Sequence, residues 1–572
     1  MRGPELYLYA RRSAFDMMEA LRTRFIESEP KRNNWRDNGE IMARRICKLR
    51  YWYCLAIFLI AATQMTGVIS AKEKQPNILF IFSDDHAVSA ISAYNGLHAK
   101  SAPTPNIDRI AREGALFQNS FCANSICGPS RACILTGKHS HKNGFMRNSR
   151  QPFNQRQWTF PKSLQKAGYQ NAVVGKWHLK SQPVGFDYWE VLPGQGNYYN
   201  PVYLQMNGRQ NKATGYVTDI TTEKSIQWLE QRDKEKPFLL MCQYKAPHRT
   251  FSPAPRHLGS LDKAEIQEPE TLFDDYSNRS SVLTANEMEI DRHMTWAYDL
   301  KIRNEELAGL DLPSFREYGT PEYNRMSAAQ RRTWDEHFGP KNKVFVKDLK
   351  ENGIEHPELV RWKFQRYVRN YLETVKAVDE NVGRLLKYLD DNDLVDNTIV
   401  IYASDQGFYL GEHGWFDKRW MFEESLKMPF VIRWPGKIKP GSKPAAMIQN
   451  IDYAPTFMEI AGLETPEEVQ GESILPVLLD SSKKVRESLY YAYYELGEHA
   501  VPQHFGVRTE TKKLFYMPAT KEWQMFDLEA DPSEVVNVYD DAKYRESRDS
   551  LVEEYHRLRK QFDAPSYEDH ME

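Results

Sequence analysis

Several short stretches of this 572-residue chain carry residue types able to hold an anion and a hard cation. Cys127-Gly128-Pro129-Ser130-Arg131 sets a thiol just ahead of a proline and four residues before an arginine, with Leu135-Thr136-Gly137 following. Proline is tolerated at the first helical position, where its missing N–H costs nothing, so a helix is predicted to begin at about Pro129. Cys127 then sits over free backbone N–H groups at the positive end of the helix dipole, a place that attracts anions. Asp84-Asp85 and Asp405-Gln406 offer only oxygen donors, which suits Ca²⁺ better than Zn²⁺ because no thiolate or imidazole pattern accompanies them. Either pair alone reads equally as a strand-end turn or a helix cap. Basic groups recur in Gly175-Lys176-Trp177-His178, Ala246-Pro247-His248 and Phe416-Asp417-Lys418-Arg419; taken singly, these are ordinary surface lysines and loop histidines.

The elements that must position these groups are short apolar runs. Asn77–Phe82, Asn171–Val174, Phe238–Cys242 and Thr398–Tyr402 each end at one of the polar clusters. Runs of four to six apolar residues with β-branched members predict buried strands of a sheet covered on both faces. Val375, Val378, Val382, Leu385, Leu386 and Leu389, at three- and four-residue spacing, predict a helix just ahead of the last run. This alternation implies an α/β fold with a large, mainly parallel sheet sandwiched by helices. Ligands of such sheets bind beyond the carboxyl ends of the strands, so clusters far apart in sequence are expected to meet.

The Cys-x-Pro-Ser-Arg and Leu-Thr-Gly residues match, without mismatch, the signature of the formylglycine-dependent sulfatases, and the chain resembles that family of the alkaline phosphatase superfamily from about Pro76 to Pro532. The resemblance implies that a separate maturase oxidises Cys127 to Cα-formylglycine (3-oxoalanine), whose hydrated aldehyde attacks sulfur and forms a covalent sulfo-enzyme. It implies that Asp84, Asp85, Asp405 and Gln406 bind Ca²⁺ together with residue 127, Gln406 standing where Asn is commoner. It assigns Lys176, His178, His248 and Lys418 to the sulfate pocket, with Arg131 orienting the formylglycine and His248 or Lys418 protonating the leaving oxygen. The stretches Gly411–Ser425 and Met428–Gly436 resemble bacterial sulfatases that remove 6-O-sulfate from N-acetylglucosamine in glycosaminoglycans such as heparan sulfate. On that likeness Asp417 and Arg419 reach sugar hydroxyls and His504 closes the pocket rim. A phosphonate monoester or phosphodiester hydrolase of the same superfamily is the alternative, as is a non-catalytic glycan-binding protein in which Cys127 is never oxidised.

Beyond Leu475-Pro476 short alternating segments, Leu489–Tyr494, Phe505–Arg508, Lys513–Tyr516 and Trp523–Asp527, predict a smaller antiparallel sheet followed by a helix. The expected organisation is a catalytic domain over 72–475 and a smaller subdomain over 476–572. Ahead of them, a basic run (Ala43–Arg50) and an apolar run (Tyr51–Ile69) ending at Ser70-Ala71 have the layout of a secretory signal peptide over 42–71. Residues 1–41 then form a non-native extension before a start at Met42. A single membrane anchor is the competing reading, but the apolar core is near the lower limit for spanning, and no stable anchor is expected. Secretion or export to a periplasm follows. Without residues 1–71 the chain loses twelve Lys/Arg and seven Asp/Glu, so its net charge moves from −2 to −7. An acidic protein of this kind must hold any polyanion in a local cationic pocket, which argues against a nucleic-acid binder relying on an overall basic surface, and the resemblance implies a sulfated carbohydrate as the partner. Of six cysteines, Cys122, Cys127, Cys133 and Cys242 remain, too few for a disulfide scaffold.

Overall fold

The computed structural model describes residues 74–148, 151–310 and 318–566; the expected extension and signal peptide lie outside them. Among the described residues no helix is long and apolar enough to cross a membrane. In chain order the strands are β1 (Asn77–Asp84), β2 (Ala115–Leu116), β3 (Ser120–Phe121), β4 (Gln170–Lys176), β5 (Tyr188–Leu192), β6 (Val202–Gln205), β7 (Gln210–Lys212) and β8 (Phe238–Pro247). They continue with β9 (Thr398–Ser404), β10 (Tyr409–Leu410), β11 (Phe416–Asp417), β12 (Phe430–Arg433), β13 (Ile448–Gln449), β14 (Ser488–Tyr493), β15 (His504–Thr509), β16 (Lys512–Met517) and β17 (Glu522–Asp527).

Nine of these form one sheet in the order β2-β12-β9-β1-β8-β4-β5-β6-β7. Its centre, β9-β1-β8-β4-β5, is parallel, and its flanks are antiparallel. Every residue of β1, β8 and β9 is buried, as strands covered on both faces require. Successive side chains point to opposite faces, so β1 divides its apolar residues between two cores. Leu79 and Ile81 pack with Val378, Val382 and Leu386 of helix α5 (Glu358–Asp391), the periodic helix expected before β9. Ile78, Phe80 and Phe82 pack on the other face with Ile134 and Leu135 of α2 (Cys127–Thr136) and Phe457 of α6 (Tyr453–Ile460). The remaining long helices are α1 (Pro105–Glu113), α3 (Val217–Gln231), α4 (Ala328–Asn352) and α7 (Arg545–Gln561).

The antiparallel sheet β14-β15-β16-β17 follows the four alternating segments read from the sequence, and Leu551, Tyr555 and Leu558 of α7 cover one face. Two hydrogen bonds tie this sheet to the neighbourhood of Cys127: Ala492 N–H donates to the Ala123 carbonyl at 3.1 Å and Gln449 Nε2 to the Tyr490 carbonyl at 2.8 Å. All four cysteines of the described residues are free and buried, so Cys122 and Cys133 do not pair.

Candidate active site

Because β9, β1, β8 and β4 lie side by side and parallel, their carboxyl ends deliver Asp405, Asp84-Asp85, His248 and Lys176 to one edge of the sheet. The convergence expected from the pattern is therefore present. Gly175 turns the end of β4 with φ +108°; a Cβ there would lie 1.8 Å from the Gln243 carbonyl oxygen, so only glycine lets the strand deliver Lys176 inward. Lys176 is fully buried, and its Nζ meets Asp84 Oδ2.

The carboxylates form a compact donor set. One ligand atom each from Asp84, Asp85, Cys127 and His248 lies within 4.8 Å of every other. Asp84 Oδ1 and Gln406 Oε1 are buried without a hydrogen-bond partner, while Gln406 Nε2 touches Asp85 Oδ1. Orphaned oxygens facing a carboxylate cluster are what a hard cation satisfies, and the oxygen-rich set fits Ca²⁺. Turning the Gln406 amide over would present its oxygen to the same point, since amide O and N are assigned from the network.

Cationic side chains close around this set. Arg131 Nε donates to Asp405 Oδ2 at 3.1 Å, and a second nitrogen stands 3.6 Å from Asp84 Oδ1. Its remaining donors reach the Lys176 carbonyl at 2.7 Å and Gln243 Oε1 at 3.2 Å. Lys418 Nζ stands 2.7 Å from Asp85 Oδ2. His248 Nε2 lies 3.6 Å from the same oxygen, and its Nδ1–H donates to the Arg249 carbonyl at 2.6 Å, which turns Nε2 toward the site. His178 is buried nearby with Nδ1 unpartnered.

The helix carrying the thiol differs from the expectation in one respect. α2 begins at Cys127 itself, with Ile126 extended as its N-cap and Pro129 at the third position. The Gly128 N–H is already taken by Asn148 Oδ1 at 3.1 Å, so one of the donors expected to be free is capped by a side chain. Cys127 Sγ points to Asp85 Oδ1 at 4.0 Å, inside the acidic cluster.

These charges set the protonation of the site. Burial favours the neutral form of Asp84, but Lys176 and Arg131 outweigh it and hold the carboxyl well below the usual range. Burial raises Asp85 to about 6 despite Lys418, and raises Asp405 well above its ordinary value with Asp84 adding to the effect. Burial, with Asp84 beside it, pushes the Cys127 thiol up, so the unmodified residue is a poor nucleophile. Burial and Lys176 hold His178 and His248 well below 6.5, hence neutral. Burial opposes the charge on Lys418, but Asp85 and its acidic neighbours raise it well above 10.5.

Beside this centre, Asp417 and Arg419 adopt left-handed backbone, φ 79° and 105°, as do Asp85 at 63° and His178 at 56°. Such conformations cost roughly 1–3 kcal/mol each and persist where the surroundings over-determine them. Asp417 Oδ2 lies 3.9 Å from Arg419 and 3.6 Å from His499 Nε2, and Arg419 donates to Tyr493 OH at 3.3 Å. The expected rim residue His504 is not at the rim: it is fully buried and stacks on Trp420, Tyr493 and Tyr491 with ring centroids 5.0–5.6 Å apart. His499, five residues earlier on a left-handed turn, faces Asp417 instead. Sequence reading also passed over Asn148, Gln243 and Arg249, whose guanidinium is paired with Asp299 at 2.6 Å and lies over the Phe416 ring beside Asp417. Only the placement of Arg249 next to His248 was visible in advance.

The chain matches the family described as Sulfatase over residues 76–463, and N-sulphoglucosamine sulphohydrolase, C-terminal, over residues 411–561. It is 46% identical to an N-acetylglucosamine-6-O-sulfatase of Bacteroides thetaiotaomicron over 497 residues, 86% of this chain and 87% of the relative. A human N-acetylglucosamine-6-sulfatase is 25% identical over 455 residues, 75% of this chain and 69% of the relative. A solved protein in complex with its substrate D-glucosamine-2-N,6-O-disulfate superimposes with a TM-score of 0.81 at 45% identity, covering 86% of this chain and 98% of that one. A phosphonate monoester hydrolase from Silicibacter pomeroyi shares the fold, with a TM-score of 0.63 at 18% identity over 85% and 96% of the two chains.

Proposed function

The chain belongs to the sulfatase family and is a sulfate ester hydrolase, and from that premise we propose that it removes the 6-O-sulfate of glucosamine units in a sulfated glycosaminoglycan. The observation that carries this reading is the meeting of Cys127 with three carboxylates and three cations, Arg131, Lys176 and Lys418, at one sheet edge.

Formylglycine at position 127 supplies a hydrated aldehyde as a renewable nucleophile, and Ca²⁺ held by Asp84, Asp85, Asp405 and Gln406 supplies positive charge to the sulfate oxygens. Arg131 keeps Asp84 and Asp405 aligned from one side, so the donor set cannot splay apart by mutual repulsion. Lys176 and Lys418 carry fixed positive charge to where sulfate oxygens gather charge, in a site that excludes water. His248, with Nδ1–H committed to the Arg249 carbonyl, takes up a further proton only at Nε2, so it serves the leaving oxygen only once the negative charge of bound sulfate favours its protonated form. Asp417, Arg419 and His499 form a polar clamp beside this centre, suited to the hydroxyls of the sugar that bears the sulfate.

Residues 72–475 are read as the catalytic domain and 476–572 as a smaller subdomain, supported by the change from parallel to antiparallel sheet after β13. Maturation of Cys127 by a formylglycine-forming enzyme and export through the 42–71 signal complete the reading. The test is sulfate release from 6-sulfated N-acetylglucosamine, its N-sulfated counterpart and 2-O- or 4-O-sulfated sugars, alongside an aryl phosphodiester. Release from the 6-sulfated glucosamines at least tenfold faster than from the others is expected; preference for the phosphodiester would overturn it.

A further inference from the structure

A second polar groove, of about 360 Å³, opens between α4 and α5 in the insertion that precedes β9. Its walls hold Asp262, Lys341, Arg366, Arg369, Asn370 and Glu373. Two of the cations are already committed: Lys341 pairs with Asp262 at 2.5 Å, and Arg369 donates to the Leu261, Ala264 and Gln365 carbonyls at 3.1–3.3 Å. Arg366 is not. Its guanidinium lies over the rings of Phe338 and Trp362, 5.3 and 5.2 Å from their centroids, and gives one hydrogen bond, to Asn342 Oδ1 at 2.8 Å. No carboxylate pairs with it among the described residues. One turn along the same helix Asn370, 3% exposed, lines the groove with an unpartnered Nδ2.

We propose that this groove is a second oxyanion site, separate from the active site, which takes the sulfate group of a sulfated sugar. A guanidinium held against two aromatic rings presents parallel N–H donors to two oxygens of a tetrahedral anion, and Asn370 Nδ2 supplies a third donor. A half-buried cation without a carboxylate partner is costly, and a bound anion lowers that cost. Burial, with the charge of Arg369 beside it, pulls Arg366 down to about 10, the direction expected of a cation that is not neutralised. Two carboxyls line the groove: Asp262 is paired with Lys341, and Glu373, raised to about 7 by burial, accepts from the Leu261 N–H, so at neutral pH each opposes an anion only in part. The oxyanion chemistry follows from the groove; naming a sulfated sugar as its source rests on the proposed function.

The experiment is calorimetric titration of a 6-sulfated glucosamine disaccharide into the intact Cys127→Ala protein, with inorganic sulfate and the desulfated disaccharide titrated in parallel. A binding event that Arg366→Met weakens at least roughly tenfold is expected, the loss of a charge-assisted pair. Asn370→Leu, close in volume, is expected to weaken the same event while leaving the fold and sulfate release by the Cys127-containing protein unchanged. If inorganic sulfate binds in the same Arg366-dependent way, the site reads the bare anion; if only the disaccharide does, it reads the sugar as well. The proposal is overturned if every binding event survives both substitutions or if the desulfated disaccharide binds equally well. An Arg366-dependent event in a protein that releases no sulfate from any ester would leave the groove standing and remove the proposed function.

Discussion

The guanidinium of Arg131 bridges Asp405 and Asp84, 3.1 and 3.6 Å away, although these carboxylates end different strands and lie 321 residues apart. One buried cation on α2 thereby holds two strand ends and the helix that carries Cys127 in register. Replacing it leaves buried Asp405 without its cation and Asp84 with Lys176 alone, so Arg131→Met is expected to lower the stability of the metal-free protein by about 3–5 kcal/mol. Thermal or urea unfolding of the two proteins side by side measures this, and an unchanged midpoint would mean that the bridge contributes nothing.

Cys127→Ser is expected to reduce sulfate release at least about a thousandfold, because a serine left unmodified has no second hydroxyl with which to expel sulfate. Mass spectrometry of the tryptic peptide establishes whether residue 127 is aldehyde, thiol or hydroxyl in each preparation. Full turnover by an unmodified serine would refute the nucleophile assignment.

Chelation should abolish turnover and lower the melting temperature together, since Asp84 Oδ1 and Gln406 Oε1 are left without a partner beside the clustered carboxylates. Adding back Ca²⁺ at one hundred times its dissociation constant is expected to restore about 2.7 kcal/mol of stability. Asp405→Ala should show no such calcium-dependent stabilisation, a readout independent of catalysis.

His413 is buried between Asp274, 2.9 Å from its Nδ1, and Glu424, 3.7 Å from its Nε2. Burial disfavours its charge, but these two carboxylates raise it to about 9. The folded value exceeds the unfolded value near 6.5, so the charged histidine contributes stability that is complete below pH 6.5 and lost as pH rises through 9. Relative to His413→Gln, the wild type is expected to lose an advantage on the order of 3 kcal/mol between pH 6 and pH 10. Parallel unfolding curves for the two proteins at both pH values check this, and a difference independent of pH would exclude a charged His413.

His499→Ala and Asp417→Ala are each expected to lower kcat/KM for a 6-sulfated glucosamine by about ten- to a hundredfold, the loss of one or two polar contacts to the sugar. With a small aryl sulfate, which offers no hydroxyls to the clamp, the same substitutions should change the rate less than threefold. Equal losses on both substrates would assign these residues to the sulfate pocket.

The chemistry of the centre was legible in the linear chain because it depends on residue type at strand ends. Each of β1, β4, β8 and β9 is an apolar run long enough to identify, and parallel strands covered on both faces deliver whatever follows them to the same edge. Asp84, Lys176, His248 and Asp405 therefore met as expected. The start of α2 was two residues off because a proline is allowed anywhere in the first turn, so Pro129 marked the turn but not its first residue.

The side proposed to hold the sugar was decided only in three dimensions. His499 and His504 are both histidines in short irregular or strand segments of similar composition, and nothing along the chain distinguishes them. Which one faces Asp417 depends on a left-handed turn at His499 and on the space Trp420, Tyr491 and Tyr493 leave for the other ring. Arg366 is of the same kind: an arginine on a helix reads as a solvated side chain until two aromatic rings define its surroundings. Residue type and strand order are local properties written in the sequence, whereas the partner of a side chain is a property of packing between segments hundreds of residues apart.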